Sequence, residues 1–122
     1  MNASGEGEWL VRGQAHQRAG RTVDALLCYR EALAVNRYAI QAHFHLGEVL
    51  RELGRDGEAF DAWRMVLTLQ PRHVPTLLAF GALARRIGKT AESAEAYRRA
   101  VTFEPQSRAA RHGLALTQLA AG

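Results

Sequence analysis

The feature that most constrains this chain is a repeat of fixed period. Gly13, Gly47 and Gly81 stand 34 residues apart, and so do Gly20, Gly54, Gly88 and the final Gly122. The aromatic series Tyr29, Trp63, Tyr97 keeps the same step, as do Ala25, Ala59, Ser93, the series Ala32, Val66, Ala100, and the pair Pro71 and Pro105. Several series in one register mean that each unit is one supersecondary element, and that neighbouring units bury each other's apolar faces. At 122 residues and 48% hydrophobic content the chain can bury a core, which excludes a disordered polymer.

Each unit reads as two helices. From Ile40 to Leu53, the residues Phe44, Gly47, Leu50 and Leu53 recur at three- and four-residue steps, the spacing that stacks side chains on one helical face. Gly54 then ends that helix, because glycine adopts the left-handed conformation at little cost. Thr22, Asp56 and Thr90 occupy the places where the second helix of each unit would be capped. Those second helices are expected over residues 22–35, 56–69 and 90–103. Pro71 and Pro105 close their units, and Pro75 falls in a first turn, where its missing N–H is tolerated.

On these residues the chain resembles the tetratricopeptide repeat (TPR) family, whose pattern is W-x2-L-G-x2-Y, A-x3-F and P over 34 residues. Trp9, Gly13, Ala25 and Tyr29 match in the first unit, where Arg12, His16 and Arg37 depart. The second matches through Leu46, Gly47, Ala59, Trp63 and Pro71, with His43 and Leu50 as departures. The third matches through Phe80, Gly81, Tyr97 and Pro105, with Leu77, Ala84 and Ser93 as substitutes. The resemblance implies an all-α fold, a right-handed α-solenoid of about seven helices. It gives repeats over 6–39, 40–73 and 74–107, a C-terminal helix over 108–122, and a single domain from residue 6 after a disordered tail over 1–5. Residues 113–122 carry no charge but include Leu114, Leu116 and Leu119, so that helix is expected to continue into a longer protein or to self-associate.

Composition narrows the function classes. Cys28 is the only cysteine, so an internal disulfide and a multi-cysteine zinc site are ruled out. The uncharged run from Val74 to Ala84 falls short of the roughly 18 to 20 apolar residues of a membrane span, and the first ten residues do not read as a secretory signal. A cytoplasmic protein with no membrane partner is expected. Residues 1–61 carry 7 basic and 9 acidic side chains, net −2, whereas residues 62–122 carry 9 and 3, net +6. The positive field therefore lies in the C-terminal half and should favour acidic partners there.

Catalytic and cofactor motifs fail on spacing. Gly88-Lys89-Thr90 resembles the end of a P-loop, but Leu83 stands where the required glycine would be. His43 and His45 are two apart and point to different sides of a helix; His45 and Glu48 have a workable spacing but no third ligand, so neither a metal nor a cofactor is expected. Cys28 has Ala62 and Ala96 as its equivalents one and two units on, which makes it a small packed residue rather than a nucleophile. Arg72, Arg85, Arg86, Arg98, Arg99, Arg108 and Arg111 raise nucleic-acid binding, but they are divided between helices and lack an aromatic stripe, which argues against it. No catalytic constellation is present, so the chain is read as no enzyme by itself.

The resemblance also points to a groove. In this family the fifth, ninth and twelfth positions of each first helix face inward, and their i, i+4, i+7 spacing puts them on one face. Here they are Leu10, Gln14 and Gln17; Phe44, Glu48 and Arg51; Leu78, Ala82 and Arg85; and His112 at the fifth position of the last helix. Leu10, Phe44 and Leu78 form either an apolar binding stripe or packing against neighbouring helices. Chaperone-binding members hold a peptide carboxylate with lysine, asparagine and arginine, but the matching positions are Leu10, Gln14, His45, Pro75 and Ala79. That clamp is absent, which argues against Hsp70 or Hsp90 tails. The expected function is a protein-interaction module binding a peptide or helix with apolar anchors and acidic residues. The alternative is an N-terminal substrate-presenting domain of a larger bacterial glycosyltransferase or methyltransferase.

Overall fold

The computed structural model describes residues 5–120. The expected tail over 1–5 lies outside the described residues except for Gly5, and so do positions 121 and 122 of the C-terminal helix. Seven helices are present among the described residues: α1 (Glu6–Arg18), α2 (Thr22–Val35), α3 (Ile40–Glu52), α4 (Asp56–Leu69), α5 (Val74–Arg86), α6 (Thr90–Phe103) and α7 (Arg108–Ala120). The first residues of α1, α3, α5 and α7 are 34 apart, as are those of α2, α4 and α6. None of these helices is long and apolar enough to cross a membrane.

The turns inside the helix pairs are built alike. Gly20, Gly54 and Gly88 have φ of +79°, +78° and +84°, the left-handed conformation that a β-carbon would strain. In each, the N–H after the glycine reaches back five residues: Arg21 to His16, Arg55 to Leu50 and Lys89 to Ala84, at 2.8, 2.8 and 2.7 Å. The glycine N–H bonds three residues back, completing a Schellman motif that satisfies the helix's last carbonyls. The next helices begin at 22, 56 and 90, as expected, which leaves the residue directly after the turn glycine as the cap. Thr22, Asp56 and Thr90 are therefore not caps but the first residues inside α2, α4 and α6. The cap positions of α2 and α6 are Arg21 and Lys89, which make no side-chain cap bond. Side-chain capping occurs instead on first helices. His73 accepts from the Thr76 N–H, and Ser107 Oγ accepts from the Ala110 N–H at 3.1 Å.

The chain divides into two compact units at Met65, within α4. In the first, α1 and α3 pack against α2. Its core includes Ala25, Tyr29, Ala32, Ala42, Val49, Ala59 and Trp63, all fully buried. In the second, α5 and α7 pack against α6 and each other around Leu77, Ala84, Ala100 and Ala110. Complete burial of an aromatic or leucine side chain contributes about 1.5 to 3 kcal/mol, so Tyr29, Trp63 and Leu77 are the main apolar anchors.

The glycine and aromatic series are two halves of one contact. A β-carbon on Gly13 would lie 2.5 Å from Tyr29, on Gly47 2.2 Å from Trp63, and on Gly81 2.9 Å from Tyr97. Only glycine lets the ring of the second helix lie against the backbone of the first. Polar bonds fix the same approach: Trp63 Nε1 donates to the Phe44 carbonyl at 2.9 Å, and Ser93 Oγ donates to the Gly81 carbonyl at 2.7 Å. Cys28 is buried, and desolvation pushes its thiol up from 9.0, away from the thiolate form.

Candidate functional site

In the first unit, α1 and α3 bring together Gln14, Gln17 and Glu48 from the expected groove set. A chain of hydrogen bonds starts in the core. The Tyr29 hydroxyl donates to Gln17 Oε1 at 2.6 Å, and Gln17 Nε2 donates to Glu48 Oε1 at 3.1 Å. The same carboxylate oxygen lies 2.8 Å from His45 Nδ1, and His45 Nε2 lies 3.1 Å from Gln14 Nε2. Both contacts are satisfied by one neutral tautomer: Nδ1–H donates to Glu48 while Nε2 accepts from the Gln14 amide. The imidazole is further held by stacking on Tyr29, with ring centroids 5.6 Å apart and planes 20° apart.

The electrostatics follow from this arrangement. Burial raises the Glu48 carboxyl, but hydrogen bonds from His45 and Gln17 and the positive charge of Arg51 outweigh it, so the group sits below 4.5 and is ionised at neutral pH. Desolvation, with the Glu48 charge added, drives the Tyr29 phenol far upward and keeps it a neutral donor. Gln14, Gln17, Arg18, His45, Glu48 and Glu52 line an open cavity of about 410 Å³. The sequence places Gln14, Gln17 and Glu48 on this face and offers the three-residue step from His45 to Glu48, which puts both on one side of α3, but it gives His45 no binding role and does not single out Arg18 or Glu52.

The remaining expected residues behave differently. Leu10 is half-buried and packs with Trp9 and Leu33 against Ala32, Ala39 and Ala42. Phe44 is half-buried, its ring edge-on to His45 at 5.3 Å. Arg51 is exposed, with its guanidinium 5.9 Å from the centre of the Trp63 ring. In the second unit Leu78 is half-buried, while Ala82, Arg85 and His112 are exposed. Burial raises the Tyr97 phenol, opposed by the charge of Arg85 and a hydrogen bond from it. Gln17, Arg51 and Arg85, twelfth in their units, thus each contact the aromatic residue twelve positions later.

The arginines of the second unit are partly used within it. Arg72 covers the Phe103 ring at 4.7 Å, Arg98 pairs with Glu95 at 2.9 Å, and Arg99 donates to the Pro71 carbonyl at 3.0 Å. With Arg85 on Tyr97, four of the seven candidate phosphate-binding side chains hold the fold's own surface. Among the described residues, no group of three or more histidine, cysteine, aspartate or glutamate side chains could hold a metal ion.

Two further crevices repeat with the period. One of about 290 Å³ in the first unit is lined in part by His43, Leu46, Glu58, Asp61, Ala62 and Met65. The other, of about 120 Å³ in the second, is lined in part by Leu77, Phe80, Glu92, Glu95, Ala96 and Arg99, the residues 34 positions on. These crevices follow from the repeat. The Gln14–Glu48 cavity does not, as its register equivalents show below.

Solved structures place the fold. The first TPR of Spaghetti (RPAP3), bound to the HSP90 peptide SRMEEVD, superposes with a TM-score of 0.90 at 17% identity, covering 95% of this chain and 92% of that one. The Arabidopsis OM64 TPR domain gives 0.86 at 18% identity, covering 93% and 94%. The crystal structure of MamA gives 0.90 at 18%, covering 96% and 68%. No curated protein sequence matches the chain. Residues 10–73, more than half of the chain, match the sequence profile of the family described as tetratricopeptide repeat. On the period, the paired helices and this match, the chain belongs to the tetratricopeptide repeat family.

Proposed function

We propose that this chain is a non-catalytic module that binds a peptide or helix of a partner protein through the exposed faces of its first-type helices. The family's fold supports a protein–protein interaction role. The observation that carries the reading is the α1–α3 face, where polar side chains are held in one orientation around an open cavity. Recognition surfaces need such convergent, preorganised polar groups beside apolar contact area. Phe44 in the first unit and Leu78 in the second supply apolar contacts; Arg51 and Arg85 supply guanidinium groups for acidic residues of the ligand. The TPR of Spaghetti shows a domain of this fold holding a peptide. In this chain the clamp positions hold Leu10, Gln14, His45, Pro75 and Ala79, so a chaperone tail held by its terminal carboxylate does not fit.

The test is affinity capture from the source lysate with two baits, the wild-type chain and a Phe44→Ala, Leu78→Ala variant whose helicity is checked by circular dichroism. A partner retained by the wild type and lost by the folded variant supports the reading. Identical capture by both baits removes these side chains from the binding surface. Loss of Phe44 as a central anchor is expected to weaken binding by about 1 to 3 kcal/mol in a titration with the recovered partner.

A further inference from the structure

The cavity between α1 and α3 has a definite chemical preference. Its charged groups are two carboxylates, Glu48 and Glu52, against one guanidinium, Arg18. Every hydrogen bond of the Glu48 carboxylate falls on Oε1, which receives both His45 and Gln17. Oε2 has no partner among the described residues, yet no buried side-chain polar atom there lacks one, so Oε2 is not fully buried and reaches solvent. The same holds for Gln14 Oε1, because the Gln14 bond uses Nε2. Glu52 is exposed and makes no ion pair among the described residues. The cavity lining therefore offers unused acceptors and one more carboxylate than guanidinium, with the Arg51 charge acting on Glu48 from outside the lining. Its open oxygens are the complement of a group that only donates and carries positive charge.

The repeat itself supplies an independent comparison. Two periods on, the positions of Gln14, His45, Glu48 and Glu52 hold Ala82, Gly113, Leu116 and Ala120. Helices α5 and α7 form with those small and apolar residues in the same slots. The fold does not require the polar set in α1 and α3. A half-buried carboxylate also loses hydration, so the first unit carries this network at a cost that the second avoids.

We propose that this cavity is a receptor for a cationic side chain of the partner, an arginine guanidinium or lysine ammonium, held by Glu48, Glu52 and Gln14. The guanidinium or ammonium donates to the open oxygens of the two carboxylates and to the Gln14 carbonyl, while Gln17 and His45 keep Glu48 from rotating. The inference rests on the peptide-binding reading above and sharpens it. The ligand carries a basic residue for the first unit as well as acidic residues for the arginines, matching a chain that is net −2 in its first half and net +6 in its second.

The test uses small probes on the full isotope-labelled chain, followed by amide chemical shifts. N-acetyl-arginine N-methylamide is compared with the citrulline analogue, which has the same shape without charge, and with the glutamate analogue. The arginine probe should saturate, with its largest shifts on α1 and α3 near Gln14, Gln17, His45 and Glu48, and citrulline should bind at least tenfold more weakly. Glu52→Lys, a surface change away from the bonded network, and Glu48→Gln should each weaken the arginine probe at least tenfold. Spermidine, run as a further arm, should bind no more tightly than the arginine probe; tighter binding would assign the site to free polyamines and overturn the peptide side chain. Equal binding of arginine and citrulline, indifference to both variants, or preference for the glutamate probe would also overturn it. Because these probes need no partner, failure here with successful lysate capture rejects only the cation site. The reverse pattern rejects the module reading.

Discussion

Tyr29 in the first unit and Tyr97 in the second occupy the same place in the repeat, and both are enclosed on two sides. One side is alike: Gly13 faces Tyr29, and Gly81 faces Tyr97. The other side differs. His45 stacks on Tyr29, whereas Gly113, two periods on, lets the α7 backbone close directly on Tyr97, where a β-carbon would stand 2.2 Å from the ring. Glycine makes that slot pure packing. Histidine keeps the ring covered and adds two nitrogens that reach Glu48 and Gln14. One slot of a repeat can thus serve the core in one unit and build a polar surface in another, with the tyrosine as the rigid support in both.

Filling the closed slot should have the largest effect. Gly113→Ala is expected to cost about 2 to 3 kcal/mol by overpacking against Tyr97, read by urea denaturation. Gly57→Ala, with nothing within 4 Å of the added carbon, should be neutral or slightly stabilising. Similar midpoints for the two variants would remove the close packing from the account.

A smaller effect is expected where the slot is open. Tyr29→Phe removes the donor to Gln17 in a half-buried network and should cost about 1 kcal/mol. Tyr97→Phe should cost less, because the exposed Arg85 exchanges its phenol partner for water. Equal losses would mean that the Tyr29 hydroxyl does not support the polar face.

Acid separates the units further. Desolvation lowers His73 below 6.5, and its Nδ1 accepts from Thr76 only while unprotonated. The unfolded chain then takes up that proton first, so the second unit's contribution is full above 6.5 and declines as pH falls through the lower folded value. Glu48 is also depressed, below 4.5, so its contribution is full above 4.5 and fades only below that. Melting temperature against pH should show a first decline beginning near 6.5 that His73→Asn, a non-titrating cap, reduces. A profile unchanged by that substitution would detach the first decline from His73.

Much of this fold was legible because repetition isolates backbone requirements. Gly54 stood out as a left-handed turn since its equivalents recurred at 34, and the helix spans followed from the same register. The pairing of Gly47 with Trp63 could not be read as a contact, because it depends on how two helices cross. Thr22 and Thr90 looked like caps by residue type, but the Schellman turn had already committed the preceding residue. The cavity was half legible. Gln14, Gln17 and Glu48 came from the family's inward positions, while His45 was hidden because its role depends on stacking over Tyr29, sixteen residues earlier. Arg51 and Arg85 were read only as ligand contacts, though each also lies on its own unit's aromatic residue.

The proposed function turns on a preorganised face of this module that reads a partner peptide. Selection of the immobilised full chain against a randomised twelve-residue peptide library tests it most directly. Enriched peptides should combine an apolar residue with acidic residues and at least one arginine or lysine, and should bind the Phe44→Ala and Glu52→Lys chains markedly more weakly than the wild type. Absence of enrichment, or enriched peptides that bind those variants as well as the wild type, would contradict it.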